Sequence, residues 1–206
     1  MKKLFLICFC WIFTGCATYT GDKVVSLAHL PIKPESHTTL VKVEEMVGQL
    51  YDHFELPEKR KIPIDDILSY ELVQDNRAVE FSHEQRKVFL INGDIHISHC
   101  HNSIVIATGS IDISHGSKNI LVSAKDIQVS HDRGNSIVIA SGTVDISFAS
   151  NTTIYAPGGM KISHPSNVLA YNTENRKTSW GHVNNVLIDP LFKSEKAVNK
   201  AQKTSE

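Results

Sequence analysis

Residues 93–108, GDIHISHCHNSIVIAT, run directly into residues 109–124, GSIDISHGSKNILVSA, and the glycine, the alternating isoleucine pair, the Ser-His step and an asparagine all return. The pattern covers 77–173 as six segments that begin at 77, 93, 109, 125, 142 and 158. A short fixed period constrains the fold more than local propensity does, because every unit must adopt one structure and find its partner in the next. In the first half of each segment Val79/Phe81, Ile95/Ile97, Ile111/Ile113, Ile127/Val129, Val144/Ile146 and Met160/Ile162 alternate with polar residues, and a period of two is that of a strand. In the second half NSIVIA, at 102–107 and 135–140, is another short β-rich run, while Gly93, Gly109, Gly142 and Gly158 stand where the chain turns into the next segment. One strand-turn-strand-turn unit cannot bury its own apolar face, but stacked units can. The sequence therefore predicts a mainly β fold, a β-solenoid or β-helix of about six ~16-residue coils, each rising ~4.8 Å, for a length of ~29 Å. Antiparallel hairpins are the rival arrangement, but the return of one residue type at each register fits stacking better.

Stacking turns recurring residues into columns. His83, His99, His115, His131 and His164 share one position, each after a serine, with Phe148 in the same place in the fifth unit. Imidazoles ~4.8 Å apart could converge on a transition metal; a position that also takes Phe148 points instead to stacked flat rings, which is the expectation adopted. Asn102, Asn119, Asn135, Asn151 and Asn167 form a second column, expected to be structural through side-chain amides bonded to one another and to the turns. Outward positions of the first strand carry Asp94, His96, Asp112, Asp126, Asp145 and Lys161. Acids on neighbouring coils would lie roughly 8 Å apart, a separation that suits an inverting glycosidase, with Asp112 and Asp145 as the candidate pair. Acids on an exposed strand also serve solubility, and the main expectation is a protein that is not an enzyme and needs no cofactor. In the second strand the small set Val105, Ala107, Val122, Ala124, Val138 and Ala140 is expected inside. The larger set, Ile104, Ile106, Leu121, Ile137, Ile139, Tyr155, Leu169 and Tyr171, is expected outside, an apolar stripe too large to stay bare. Ile104, Ile106, Leu121, Ile137, Ile139 and Tyr155 are thus a candidate interaction face, covered by a partner or by the chain's own helix.

That helix is predicted over 38–54, where Leu40, Val43, Val47, Leu50 and Phe54 recur at three- and four-residue intervals. At 1.5 Å per residue it is ~25 Å long, close to the solenoid. A second, shorter helix is predicted over about 65–72, capped by Asp65 after Pro63. The expected organisation is 1–15 leader, 16–35 tether, 36–76 helical region, 77–173 solenoid, and 174–206 a degenerate last coil with a polar tail.

The leader has Lys2 and Lys3 before an apolar run over 4–13 and then small residues, an export signal; the run is shorter than the ~20 residues of a membrane span. Its end, Phe13-Thr14-Gly15-Cys16, resembles the lipobox of bacterial lipoproteins. This resemblance implies cleavage before Cys16, acyl chains on Cys16 and, with Ala17 rather than aspartate next, an outer-membrane address, facing either the periplasm or the cell surface. Short coils rich in Ile, Val and Gly loosely resemble the polymer-forming bactofilins. With the leader gone, Cys100 has no partner for an internal disulfide. Loss of Lys2 and Lys3 takes 21 basic residues to 19, against 22 acidic ones, and no basic cluster suits a phosphate backbone, so nucleic acid is not an expected partner. The expectation is an envelope scaffold or binding module whose partners are the membrane, an envelope protein or glycan, or a second copy of itself.

Overall fold

The computed structural model describes residues 36–54, 56, 58–62, 66–171, 176–178 and 186–188. The leader, Cys16, the tether and most of 174–206 lie outside the described residues. Among the described residues helix α1 (Ser36–His53) precedes fifteen strands. These are β1 (Glu71–Asp75), β2 (Val79–Gln85), β3 (Lys87–Ile91), β4 (Ile95–His101), β5 (Ile104–Ala107), β6 (Ile111–Ser117), β7 (Ile120–Ser123), β8 (Ile127–Asp132), β9 (Ile137–Ala140), β10 (Val144–Ser150), β11 (Thr153–Tyr155), β12 (Met160–Ser166), β13 (Val168–Tyr171), β14 (Arg176–Thr178) and β15 (Val186–Ile188). The odd-numbered strands form an eight-stranded sheet and the even-numbered ones a seven-stranded sheet. Pairing is parallel, with Ile95, Ile111 and Ile127 in register on successive coils. The chain is a β-solenoid of about six turns at sixteen-residue spacing, with one N-terminal helix.

Between the sheets lies one core, built from Ile95, Ile97, Ile111, Ile113, Ile127, Val129, Val144, Ile146, Met160 and Ile162 on one side. Phe89, Ile91, Val105, Ala107, Leu121, Val138, Ala140, Ile154 and Ala170 face them from the other. Where the second strand begins, the backbone turns through positive φ at Arg86, Asn102, Lys118, Asn135, Asn151 and Asn167. Asparagine tolerates that left-handed conformation better than most side chains, which is why it recurs there. The amides of the corners from Arg86 to Asn151 bond to the next coil, as Asn102 N–H does to Ser117 O (3.0 Å) and Asn151 N–H to Ser166 O (2.9 Å).

The corner residues correct the asparagine column. Its second member is Lys118, not Asn119; the side-chain amide bond expected along the column joins Asn167 to Asn151. Asn119 stands one place later, fully buried where other coils carry Ser103, Ser136 and Thr152, and it donates to Cys100 O (2.8 Å) and accepts from Ser103 N–H (3.1 Å). A one-residue slip exchanges the two faces of a strand. Leu121 therefore pairs with Val105 and points into the core, while Ile120 and Val122 pair with Ile104 and Ile106 and point outward, as Ala124 does with its coil's outer face. The coil that does contain an extra residue is the next one, Ile127 to Val144 in register, and Gly134, at φ 120°, lies where it is accommodated.

The outer face of the eight-stranded sheet is covered by α1. Val43, Val47, Leu50 and Phe54 join Val88, Leu90, Ile104, Ile106, Ile120, Val122, Ile137, Ile139, Tyr155 and Tyr171 in a second buried cluster. The Phe54 ring lies 5.6 Å from that of Tyr155 and 5.0 Å from that of Tyr171, and Tyr171 Oη donates to Phe54 O (3.0 Å). After the helix, Arg60 reaches back to Thr152 O (3.3 Å), Asn167 O (2.9 Å) and Asn167 Oδ1 (2.8 Å). Each large apolar side chain so covered contributes about 1.5–3 kcal/mol.

The second predicted helix is replaced by a 3-10 turn, Ile67–Ser69, followed by β1. Glu71 to Asp75 pair with Lys87 to Ile91, so the sheet draws in a segment that the helical reading had claimed, and the solenoid begins at Glu71 rather than at 77. Parallel pairing over five residues, with Leu72 and Val73 packed on the two apolar clusters, outweighs a weak local helix preference.

Candidate functional site

With one sheet covered, the outward side of the seven-stranded sheet carries the candidate residues. In β4, Ile95 and Ile97 are buried, Ser98 and His99 both reach solvent, and Cys100 is buried again. Two successive outward residues interrupt the period of two. The ladder skips the serines, passing from Ile97↔Ile113 to His99↔His115, so each strand bends at its serine and the sheet presents two facets.

On the second facet His83, His99, His115, His131, Phe148 and His164 form a continuous stack. Ring centroids are 4.3, 4.7, 5.0, 4.8 and 4.3 Å apart and the planes lie within 6° to 11° of parallel. Coil spacing and ring stacking match, since the strands themselves are ~4.8 Å apart. The stacking expected from Phe148 is therefore present. A metal ion needs imidazole lone pairs, which lie in the ring plane, to converge; parallel rings send theirs along parallel lines. Among the described residues no group of His, Cys, Asp or Glu is arranged to hold a metal ion. His99 is held below the ordinary histidine range by desolvation and then by its neighbours His83, His115 and Arg133. His164 Nδ1 lies 3.2 Å from Ser147 O, whereas His115 Nδ1 is buried with no hydrogen-bond partner among the described residues.

The first facet carries Glu80, His96, Asp112, Gln128, Asp145 and Lys161 in register. Asp112 Oδ2 lies 3.0 Å from His96 Nδ1 and Asp145 Oδ2 2.8 Å from Lys161 Nζ. Gln128 separates the two acids, placing them two coil steps, ~9.6 Å, apart instead of on neighbouring coils. Asp94 and Asp126 are not facet residues but turn residues: Asp94 Oδ1 accepts from Ser110 N–H (2.7 Å) and Asp126 Oδ1 from Thr143 N–H (2.7 Å) and Thr143 Oγ1 (2.8 Å). The Thr143 hydrogen bonds hold the Asp126 carboxyl below the usual range.

A shallow groove of about 480 Å³ runs along the second facet, lined by His83, His99, His101, His115, Ser117 and Arg133 among others. His101 and Arg133 were not singled out by the repeat. His101 stands two positions after His99, in register with Gln85 and Ser117, and Arg133 sits at the extra residue of the longer coil, where no column predicts it. Beneath them Asp132 is buried, accepting from Ser136 Oγ (2.8 Å), Gly134 N–H (3.2 Å) and Thr152 Oγ1. Its burial raises its pKa, against the lowering effect of those bonds. Burial also pushes the Cys100 thiol up to about 12, which removes it as a nucleophile near neutrality.

The candidate interaction face is corrected. Ile104, Ile106, Ile137, Ile139 and Tyr155 do lie on the outer side of their sheet, but they are at most 3% exposed beneath the N-terminal region, and Leu121 is inside the solenoid. Among the described residues no helix is long and apolar enough to cross a membrane. No family model, curated protein or solved structure matches the chain.

Proposed function

We propose that the protein is a non-enzymatic, lipid-anchored outer-membrane lipoprotein whose solenoid serves as a scaffold or binding module in the cell envelope, with the seven-stranded sheet as its working face. The observation that carries the reading is the asymmetry of the two sheets: α1 closes one, and the other keeps ordered columns of rings, hydroxyls and charges at the surface. The candidate acids of that face, Asp112 and Asp145, are engaged singly with His96 and Lys161, which favours a surface over a reaction centre. The leader ending in Phe13-Thr14-Gly15-Cys16 supports the anchor, because acyl chains contribute ~0.8 kcal/mol per buried methylene and two or more give stable attachment. The test is membrane fractionation of Cys16→Ser together with crosslinking in intact cells. Release into the soluble fraction and crosslinks mapping to the seven-stranded sheet are expected; unchanged fractionation would reject the anchor, and crosslinks confined elsewhere would reject the face.

A glycan-binding or glycan-cleaving role is the second reading, favoured by the ~9.6 Å between Asp112 and Asp145, at the upper limit for an inverting pair. Turnover of a polysaccharide that disappears in both Asp112→Asn and Asp145→Asn would replace the first reading with this one.

A further inference from the structure

We infer that the stack His83, His99, His115 and His131, together with Arg133, is a binding site for a linear acidic polysaccharide and is charged by mild acid. The inference rests on the reading of the seven-stranded sheet as the working face. Stacking alone asks only for a flat ring, as Phe148 demonstrates in the same column, yet the three rings of the stack that line the groove, His83, His99 and His115, are imidazoles, and His131 continues them. An imidazole adds a proton-binding nitrogen whose charge changes between about pH 5 and 8. Here the rings that carry those nitrogens stack with centroids at 4.3 to 5.0 Å intervals, and His115 Nδ1 is buried without a partner among the described residues.

The surrounding charges leave this row open to anions. Glu84, which lines the groove from β2, is bound to Lys87 at 2.8 Å, and Lys87 also reaches Glu71 at 3.2 Å. Asp132, the inward neighbour of His131, is buried and occupied by Ser136, Thr152 and Gly134. On the facet itself stand Gln85, His101 and Ser117, with Arg133 at the turn. Glu80, His96, Asp112, Gln128, Asp145 and Lys161 occupy the other facet, beyond the serine bend. His99 is held below the ordinary histidine range by desolvation first and then by His83, His115 and Arg133; protonated rings one coil apart repel one another, and an anion laid along them relieves that repulsion.

The geometry selects among polyanions. A planar anionic membrane would press Glu80, Asp112 and Asp145 against like charge, whereas a single chain in the groove meets only the row. A single-stranded nucleic acid needs exposed ring faces on which bases stack, and in the row those faces are taken by neighbouring rings. A linear chain with a carboxylate on each sugar presents anions at short regular intervals and hydroxyls toward the serine column Ser82, Ser98, Ser114 and Ser130.

The probe is polygalacturonate, titrated by calorimetry into the full chain in detergent at about pH 5 and about pH 7.5. Binding should be roughly tenfold tighter or more at the lower pH, as expected when two or more rings become charged, with proton uptake, and neutral dextran should not bind. The double variant His99→Phe with His115→Phe keeps the stack and should lose the gain in affinity without a change in melting temperature. NMR titration of the wild-type rings covers the case in which that variant does not fold: polygalacturonate should raise the pKa of His99 and His115. Equal affinity at both pH values, an unchanged variant, unmoved ring titrations, or tighter binding of phosphatidylglycerol vesicles or single-stranded DNA would each overturn the inference. The scaffold reading is tested separately, by fractionation and crosslinking at neutral pH, so failure of the calorimetry and the ring titrations leaves that reading standing.

Discussion

Leu50→Asp tests how the helix and the solenoid depend on each other. Leu50 is 1% exposed, in the cluster that joins α1 to the eight-stranded sheet. Removing its side chain alone, as Leu50→Ala does, should cost about 2–5 kcal/mol through lost transfer energy and the cavity left behind. The carboxylate adds the cost of burying a polar group without a partner, about 1–3 kcal/mol. The total, about 3–8 kcal/mol, is comparable with the whole stability of an ordinary domain. At roughly 2–4 °C per kcal/mol for a chain of this size, the melting temperature followed by circular dichroism should fall by about 6 °C or more. The penalty also has a pH sign. Burial raises the folded-state pKa of the new carboxyl above its unfolded value of about 3.9, so the deficit is smallest below that value and grows as pH rises toward the folded pKa. Glu45→Ala, on the exposed face of the same helix, should stay within about 0.5 kcal/mol. If Leu50→Asp leaves the melting temperature within about 2 °C of wild type at neutral pH, α1 does not hold the solenoid, and the cover assigned to Ile104, Ile120 and Ile137 is wrong.

Lys118→Gly should stabilise by about 0.5–1 kcal/mol in chemical denaturation, because Lys118 holds φ at 54° where a side chain is disfavoured; a loss of stability would refute the strain. Arg60→Met should cost about 2–4 kcal/mol, since it leaves Thr152 O and Asn167 O without their charged donor, and denaturant midpoints at constant slope would measure it. Cys100, with its thiol pushed up to about 12, should resist alkylation at about pH 8 in the folded protein and react on unfolding, as mapped on its own peptide; rapid labelling of the native chain would show that the interior is open.

The fold was legible because parallel stacking copies one environment from coil to coil, so the same isoleucines, serines and rings recur at one spacing. The covering helix was legible too, since an apolar stripe of matching length needed a surface and Ile104, Ile106, Ile137 and Ile139 needed a cover. What failed was local register in the third coil. Lys118 and Asn119 compete for one corner, and sequence alone ranks asparagine first for a left-handed backbone; the pairing that settles it, Ile120 with Ile104, is a property of the neighbouring coil. From that one choice followed the misplaced Leu121 and Val122. Strand β1 was hidden for a similar reason, because its pairing with β3 shows no repeat of the Ser-His signature. Of the candidate site, the ring column was readable and the groove was not, since Arg133 belongs to the one irregular coil.

Repeat arrays ordinarily change copy number with little penalty, because each unit touches only its neighbours and one more or fewer leaves the rest intact. The covering segment removes that freedom here. At 18 residues α1 is ~27 Å long, against ~29 Å for six coils. The turn Ile67–Ser69, which packs on α1, leads into the first strand, while Phe54 and Arg60 are fastened to Tyr155, Tyr171, Thr152 and Asn167 near the other end. An inserted coil would carry Tyr171 and Asn167 beyond the reach of Phe54 and Arg60, and a deleted one would leave them overhanging. α1 is in effect a gauge block that fixes how many repeats this gene can hold, and duplication within it would have to lengthen the helix by about three residues per coil to be tolerated.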